Sequence, residues 1–396
     1  MRARRVLALT LAATVGVGVV ALPTVNAPTA LAGTTGVEPA ATAPSGPDAM
    51  AEDMVAGMTT AQQAESVVMG HIPTTDPAAL HDYMTQGLGG FILMGANIPA
   101  SEPELQALTT ALTVDPALPP LIAVDEEGGV VARLHDDVYP SARQLAALPP
   151  EATSGAFAGR GSLVARGGIT VNFGTIADQT ADPNSFISGR VLGTDPASAA
   201  QRVAAATSSQ EQFVASTLKH FPGHGAAPGD SHHAIPSTDE SLEQWRATDA
   251  VPFIAGIDAG ASLLMFGHLA YTAVDAAPAS LSARWHEIAR DELGFDGVIV
   301  TDDLGMLQSS GIPAYADPVA NAVSAIAAGN DLVLTIAGST PDTARQLAAG
   351  IAAAVDSGAI PAERLADAAT RVTALRLRIA ATTAHWAPCP ECEPAT

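Results

Sequence analysis

The chain's only lysine, Lys219, stands in Leu218-Lys219-His220-Phe221-Pro222-Gly223-His224-Gly225, and Asp230-Ser231-His232-His233 follows closely. Every other fixed cation in this sequence is an arginine. An ammonium beside four histidines and an aspartate is a concentration of proton donors and acceptors that solvation of a loop does not require. The stretch from Gly223 to Pro236 carries three glycines, and prolines at 222, 228 and 236 bound or interrupt it. That composition suits a segment able to close over a ligand. Within it, His232 lies two residues past Asp230, so the carboxylate can fix the ring and favour the imidazolium needed for acid duty. Taken alone, the D-x-H spacing is a weak signal.

Further ionisable groups recur at matching places. Asp125 follows the apolar run Leu121–Val124, and Asp178 lies a few residues past Ile169–Phe173. Lys219 and His220 follow Ala215–Leu218, His268 follows Ser262–Phe266, and Asp302 follows Val298–Thr301. If these runs are parallel strands of one barrel, their C-termini open on one face and the polar side chains converge on a single pocket. Asp302, at the tip of a buried strand, has the rigid support that a nucleophile needs. Its neighbour Asp303 suits the N-cap of the following helix.

The elements that must position these groups are legible as short apolar runs alternating with alanine-rich stretches. Eight strands are expected: Ser66–Met69, Gly90–Met94, Leu121–Val124, Ile169–Phe173, Ala215–Leu218, Ser262–Phe266, Val298–Thr301 and Asp331–Thr335. The first could equally be the end of a helix. Their near-continuous apolar character fits parallel strands buried on both faces. Helix signals lie between them, such as Ser101 with Glu104 before Leu105 and Leu108. Ser282 likewise precedes Trp285, Ile288, Ala289 and Leu293 at helical spacing, with Gly294 as the stop. The last helices are expected over Pro341 to Val355 and Pro361 to Leu377. The alternation predicts an α/β fold, a single-domain (β/α)8 barrel, with an open doubly wound sheet as the competing topology. No G-x-G-x-x-G turn, P-loop or nucleophile-elbow serine follows a strand, which argues against dinucleotide, nucleotide and serine-hydrolase chemistry.

Outside the expected domain (48–385), residues 1–32 read as a secretory leader. Arg2, Arg4 and Arg5 precede an apolar run from Val6 to Leu22, and Ala30-Leu31-Ala32 forms a cleavage pattern. Residues 33–47 read as a flexible linker and 386–396 as a C-terminal tail carrying Cys389 and Cys392, which could form a local disulfide. Loss of the leader removes three arginines and leaves 15 basic against 41 acidic residues, a formal charge of −26. Such a surface repels nucleic acid and anionic membranes. A secreted, extracytoplasmic monomer without stable membrane insertion is expected.

Taken together, these stretches resemble glycoside hydrolase family 3, and within it the bacterial β-N-acetylglucosaminidases. The carrying motif is Lys219-His220-Phe221-Pro222-Gly223-His224-Gly225 with Asp230-Ser231-His232. Supporting pieces are Asp125-Glu126-Glu127-Gly128-Gly129, Asn172-Phe173, Ala177-Asp178, Ser280-Leu281-Ser282 and Thr301-Asp302-Asp303-Leu304-Gly305-Met306. The resemblance spans roughly Met58 to Arg378. It implies a retaining hydrolase of terminal β-linked N-acetylglucosamine that uses no cofactor or metal and acts on cell-wall muropeptides or chitooligosaccharides. Asp302 matches the nucleophile, and His232 oriented by Asp230 matches the acid/base pair. Asp125, Arg133, Arg190, Lys219 and His220 match residues that hold the sugar hydroxyls. Val130 stands where an arginine is common, and Val191-Leu192 where Ser-Phe is frequent; neither change touches the chemical core, but either could alter the leaving-group site or the pocket wall. Alternatives are a β-glucosidase of the same family, a metal-dependent barrel hydrolase built on the histidines with Asp230, and a non-catalytic carbohydrate-binding module.

Overall fold

The computed structural model describes residues 46–383. The expected leader, nearly all of the linker, and the tail with its two cysteines lie outside the described residues. Among the described residues no helix is long and apolar enough to cross a membrane.

Among the described residues ten strands form: β1 Val68–Gly70, β2 Gly90–Leu93, β3 Leu121–Val124, β4 Val171–Ile176, β5 Ala215–Phe221, β6 Ser237–Thr238, β7 Leu263–Phe266, β8 Ala270–Tyr271, β9 Val298–Asp303 and β10 Leu332–Leu334. Eight of them close a parallel barrel in the order β1-β2-β3-β4-β5-β7-β9-β10, with β10 pairing back to β1. Closure settles the choice between barrel and open sheet. All eight expected strands are present. The first apolar run is divided: a helix over Thr60–Ser66 ends and β1 begins two residues later. Both readings of that run therefore hold in part.

Three strands run two or more residues past their expected C-terminal ends. β4 starts later and runs to Ile176, β5 continues to Phe221, and β9 continues to Asp303. Lys219, His220 and Asp302 therefore sit inside strands rather than in the loops after them. Pairing carries these polar residues, since Ile176 is in register with Lys219 and Phe221 with Phe266. Backbone hydrogen bonding is indifferent to side-chain polarity, whereas a reading by hydrophobic runs stops at the first charge.

The barrel interior is filled by Met69, Ile92, Leu121, Ala123, Val171, Phe173, Met265, Val298, Val300, Leu332 and Leu334, all buried. It is a packed core and not a pore. Helices between the strands cover its outside, many started by a side chain that accepts a backbone N–H: Asp76, Ser101, Asp195, Ser241, Ser282, Asp303 and Asp317. The helix begun by Ser282 runs Ala283–Glu287, passes into a wider turn over Ile288–Glu292, and reverses at Gly294 with φ of 67°. The last two helices span Thr343–Asp356 and Ala362–Thr383. The two-stranded parallel pair β6–β8 lies apart from the barrel and ties down the chain just after the glycine-rich segment.

Candidate active site

At the C-terminal ends of the strands lies a cavity of about 570 Å³. Asp125, Arg133, Arg190, Lys219, His220, His232 and Asp302 all line it, together with Glu127, Phe186, His224 and an apolar wall that includes Met94, Met306 and Ile336. Seven of the eight site residues expected from sequence thus share one space. The eighth, Asp230, stands behind His232.

One side of the cavity is a buried cluster of alternating charges. The Lys219 ammonium donates to Asp125 Oδ1 at 2.6 Å and meets Glu127 Oε1 at 2.8 Å. Arg190 donates to the same Glu127 through Nε at 2.8 Å and Nη2 at 2.7 Å, a forked pair with fixed geometry. Burial opposes the charge on Glu127, but Lys219 and Arg190 outweigh it and bring its carboxyl down to about 2. Burial likewise opposes the charge on Lys219, and the Asp125 and Glu127 carboxylates overcome it, leaving the ammonium above its ordinary range. Each charge is thus fixed before any ligand arrives. Arg133 differs: its buried Nε has no hydrogen-bond partner among the described residues, so it is the cation best placed to accept new company.

Asp302 is half-buried at the end of β9 and accepts the Asp303 N–H at 2.8 Å. Burial would raise its carboxyl. The imidazoles of His220 and His268, the Asp303 N–H and the Lys219 charge outweigh that and hold it below the usual value. It therefore remains an anion at neutral pH. Asp303 also borders the cavity, but its carboxylate caps the helix Leu304–Ser309 through Gly305 N–H at 2.9 Å and takes the N–H groups of Ile336 and Ala337. Burial pushes its own carboxyl up to about 6.

Two residues expected on the rim are not there. Asp178 is fully buried behind the cavity, where it accepts the N–H groups of His220 and His224 and contacts His220 Nδ1 at 2.7 Å. His268 is also fully buried, held between Ser280 Oγ at 2.7 Å and the Asp303 carbonyl at 2.9 Å. Both follow strands as expected. In a strand, however, successive side chains alternate faces, so a position near the strand end does not guarantee that a side chain points into the mouth. They support His220 and the 302–303 backbone instead. Val130 lines the cavity and is largely exposed, consistent with a rim position. Val191 and Leu192 are buried and are not among the residues that line it.

The segment after β5 is firmly held at its start. Trp245 Nε1 donates to the Pro222 carbonyl at 2.8 Å and the Tyr271 hydroxyl to the Gly223 carbonyl at 2.7 Å. Gly223 has φ of 135°, a conformation that favours glycine, and a Cβ there would press on Asp249. Farther along, restraint falls away. His232 has 55 % of its side chain exposed, and its Nδ1 lies 2.6 Å from Asp230 Oδ1. Phe186 meets the His232 ring edge-on with centroids 5.7 Å apart, and also touches His224. With Asp230 accepting at Nδ1, the other nitrogen, Nε2, is left for exchange with a ligand.

Neither Glu127 nor Phe186 was assigned to the site from sequence, although Glu127 lies in a motif that was noted. Glu127 had a signal, the run of three consecutive carboxylates after β3, but nothing in the run tells which one turns toward Lys219. Phe186 had none, because it sits in an irregular segment without periodicity.

Among the described residues no group of three or more His, Cys, Asp or Glu side chains is placed to hold a metal ion. The histidines point to separate partners, so the metal-hydrolase reading lacks a ligand set.

A charged pocket at the strand tips of a closed parallel barrel, lined by both Asp302 and His232, is an arrangement suited to the hydrolysis of glycosides. Residues 63–375 match the model of the glycosyl hydrolase family 3 N-terminal domain, and the chain belongs to that family. A β-hexosaminidase of Pseudomonas aeruginosa is 37% identical over 255 residues, covering 62% of this chain and 74% of the relative. Among solved structures, a family 3 β-N-acetylglucosaminidase from Paenibacillus sp. str. FPU-7 superposes with a TM-score of 0.76 at 31% identity. That match covers 83% of this chain and 64% of the other. A β-N-acetylhexosaminidase from Beutenbergia cavernae matches with a TM-score of 0.71 at 28% identity, over 81% of this chain and 98% of the other.

Proposed function

We propose that this glycoside hydrolase is a retaining, exo-acting β-N-acetylhexosaminidase that removes terminal β-linked N-acetylglucosamine. The observation that carries the reading is the presence, in one cavity, of an anionic Asp302 and a histidine whose far ring nitrogen is backed by a carboxylate. The cavity is lined at depth by Met265 and Leu334, members of the filled barrel interior. A pocket that ends on a packed core suits the terminus of a sugar chain better than its middle.

In the mechanism, Asp302 attacks the anomeric carbon while His232 Nε2–H protonates the departing oxygen. The first products are a glycosyl-aspartate ester and the released aglycone. Neutral His232 then takes a proton from water, the water oxygen bonds to the anomeric carbon, and the ester breaks with net retention. Asp230 accepts at Nδ1 and so fixes the ring orientation for the first step. Asp125, Lys219, Arg190 and His220 present hydroxyl-binding atoms already locked by their neighbours, and Arg133 adds a cation with open donor capacity. Peptidoglycan fragments and chitooligosaccharides are the substrate classes inferred. A leader cleaved after Ala32 would place the enzyme outside the cytoplasm, which mass analysis of the exported protein tests through an N-terminus at Gly33.

The deciding experiment is hydrolysis of an aryl N-acetyl-β-glucosaminide beside the matching aryl glucoside, followed by proton NMR of the first sugar released. Preference for the acetamido sugar with an initial β-anomer supports the reading. Preference for the glucoside, or an initial α-anomer, overturns it.

A further inference from the structure

Behind Arg133 lies a pair of carboxyl groups that the reaction does not use. Glu126 is fully buried. Its Oε2 accepts the N–H groups of Arg133 and Leu134, each at 2.8 Å. Its backbone exchanges two hydrogen bonds of 2.9 Å with the Asn172 side-chain amide on β4. Its Oε1 is sealed from solvent and finds no donor among the described residues. The carboxyl group instead meets the side chain of Asp137. Asp137 is in turn paired with Arg160, Nε to Oδ2 at 2.7 Å, with both side chains almost wholly buried. It also accepts the Tyr139 N–H at 3.0 Å.

Two carboxylates in contact and shielded from water cannot both ionise, so one retains a proton. Glu126 faces Asp137 from its own loop and the neutral Asn172 from β4, while Arg160, from the helix Pro150–Arg166, faces Asp137. Asp137 has the Arg160 guanidinium as its direct partner. The proton therefore belongs on Glu126 Oε1, where it satisfies an otherwise orphaned oxygen and donates to Asp137.

We propose that Glu126, as a neutral acid hydrogen-bonded to Asp137, is the positioning residue for Arg133, clamping the backbone that carries this guanidinium into the cavity. The kinetic consequence rests on the reading of Arg133 as a sugar-binding group; the protonation and the clamp do not. Glu126 acts through Arg133 and is not itself catalytic. Burial and then the Asp137 contact push its carboxyl up to about 8, against the opposing N–H bonds. A folded value above the ordinary 4.5 means that the native state binds the extra proton between those two limits. Its contribution to stability is therefore complete below pH 4.5 and is lost as pH rises toward 8.

The test compares the full-length enzyme with Glu126→Gln, Glu126→Ala and, should the alanine variant not accumulate, Glu126→Asp. A glutamine can accept both N–H groups and donate to Asp137, so it mimics the neutral acid. Glu126→Gln is expected to keep kcat/KM within about two-fold, whereas the alanine or aspartate variant raises KM roughly tenfold with a smaller change in kcat. The wild-type minus Glu126→Gln infrared difference at neutral pH should contain a protonated carboxyl band. The wild type should also lose melting temperature relative to Glu126→Gln as pH rises from about 5 to 8. A difference spectrum with only ionised carboxylate, or parallel melting curves, overturns the shared proton. Unchanged KM in a folded alanine or aspartate variant overturns the positioning role. The infrared and melting arms need no substrate, so they still read if the enzyme prefers another sugar.

Discussion

The two halves of the cavity are built on opposite principles. On the β3–β5 side, Asp125, Glu127, Lys219 and Arg190 form an interlocked set whose members are mostly buried and paired within 2.6–2.8 Å. On the other side, His232 is more exposed than not, and its bond to Asp230 comes from within its own segment. Groups that must recognise a sugar gain from being held in place beforehand, because no ordering cost is then left for the moment of binding. A proton carrier that serves first as acid and then as base must admit a leaving group and afterwards a water. Sparse contacts leave it free to do so. The strand-held half is anchored by parallel pairing, and the loop-held half is tethered at its ends by Tyr271, Trp245 and the β6–β8 pair.

This contrast can be broken by substitution. Asp302→Asn should lower kcat on an aryl N-acetylglucosaminide by on the order of 10⁴-fold or more, since removing a nucleophile removes the covalent route. Steady-state assays with active-site titration check it. His232→Ala should lower kcat by roughly 10²–10⁴-fold, with the smaller losses on aryl groups that leave readily and need little protonation. Equal losses on good and poor leaving groups would remove the acid from His232.

Stability should divide the other way. Glu127→Ala leaves Lys219 and Arg190 buried without their shared anion and should cost about 3–5 kcal/mol in denaturant unfolding. The Glu127 carboxyl is brought from its ordinary 4.5 to about 2, so its contribution is present above pH 4.5 and lost as pH falls toward 2. Acid melting curves of wild type and Glu127→Gln should therefore converge over that interval. His232→Ala and Asp230→Ala, by contrast, should shift unfolding by no more than about 0.5 kcal/mol, as exposed positions do. A large stability loss in either would mean that the loop is held as firmly as the strands, and the contrast would fail.

Particular elements show where sequence reading ends. The eight strands were legible because each is a short, largely apolar run, and burial on both faces favours that composition. Lys219, His220 and Asp302 were legible as functional because charge at the end of such a run is otherwise costly. Their inclusion within β5 and β9 was not, because backbone pairing leaves no mark on side-chain type. Asp178 and His268 were misplaced for a related reason: the number of residues past a strand does not say which way a side chain turns. Glu126 and Glu127 are adjacent and chemically identical, yet one anchors a loop beside Asp137 while the other bridges Lys219 and Arg190.

The amino-acid order by itself determined the strand–helix alternation and the set of ionisable groups available for chemistry, because hydrophobic periodicity and residue type are local properties. Only the tertiary structure decided that the sheet closes, which carboxylate meets which cation, and which side chains look into the cavity. Those outcomes depend on contacts between positions tens to hundreds of residues apart, and burial, charge pairing and pleat direction act there on spatial neighbours rather than on neighbours in the chain.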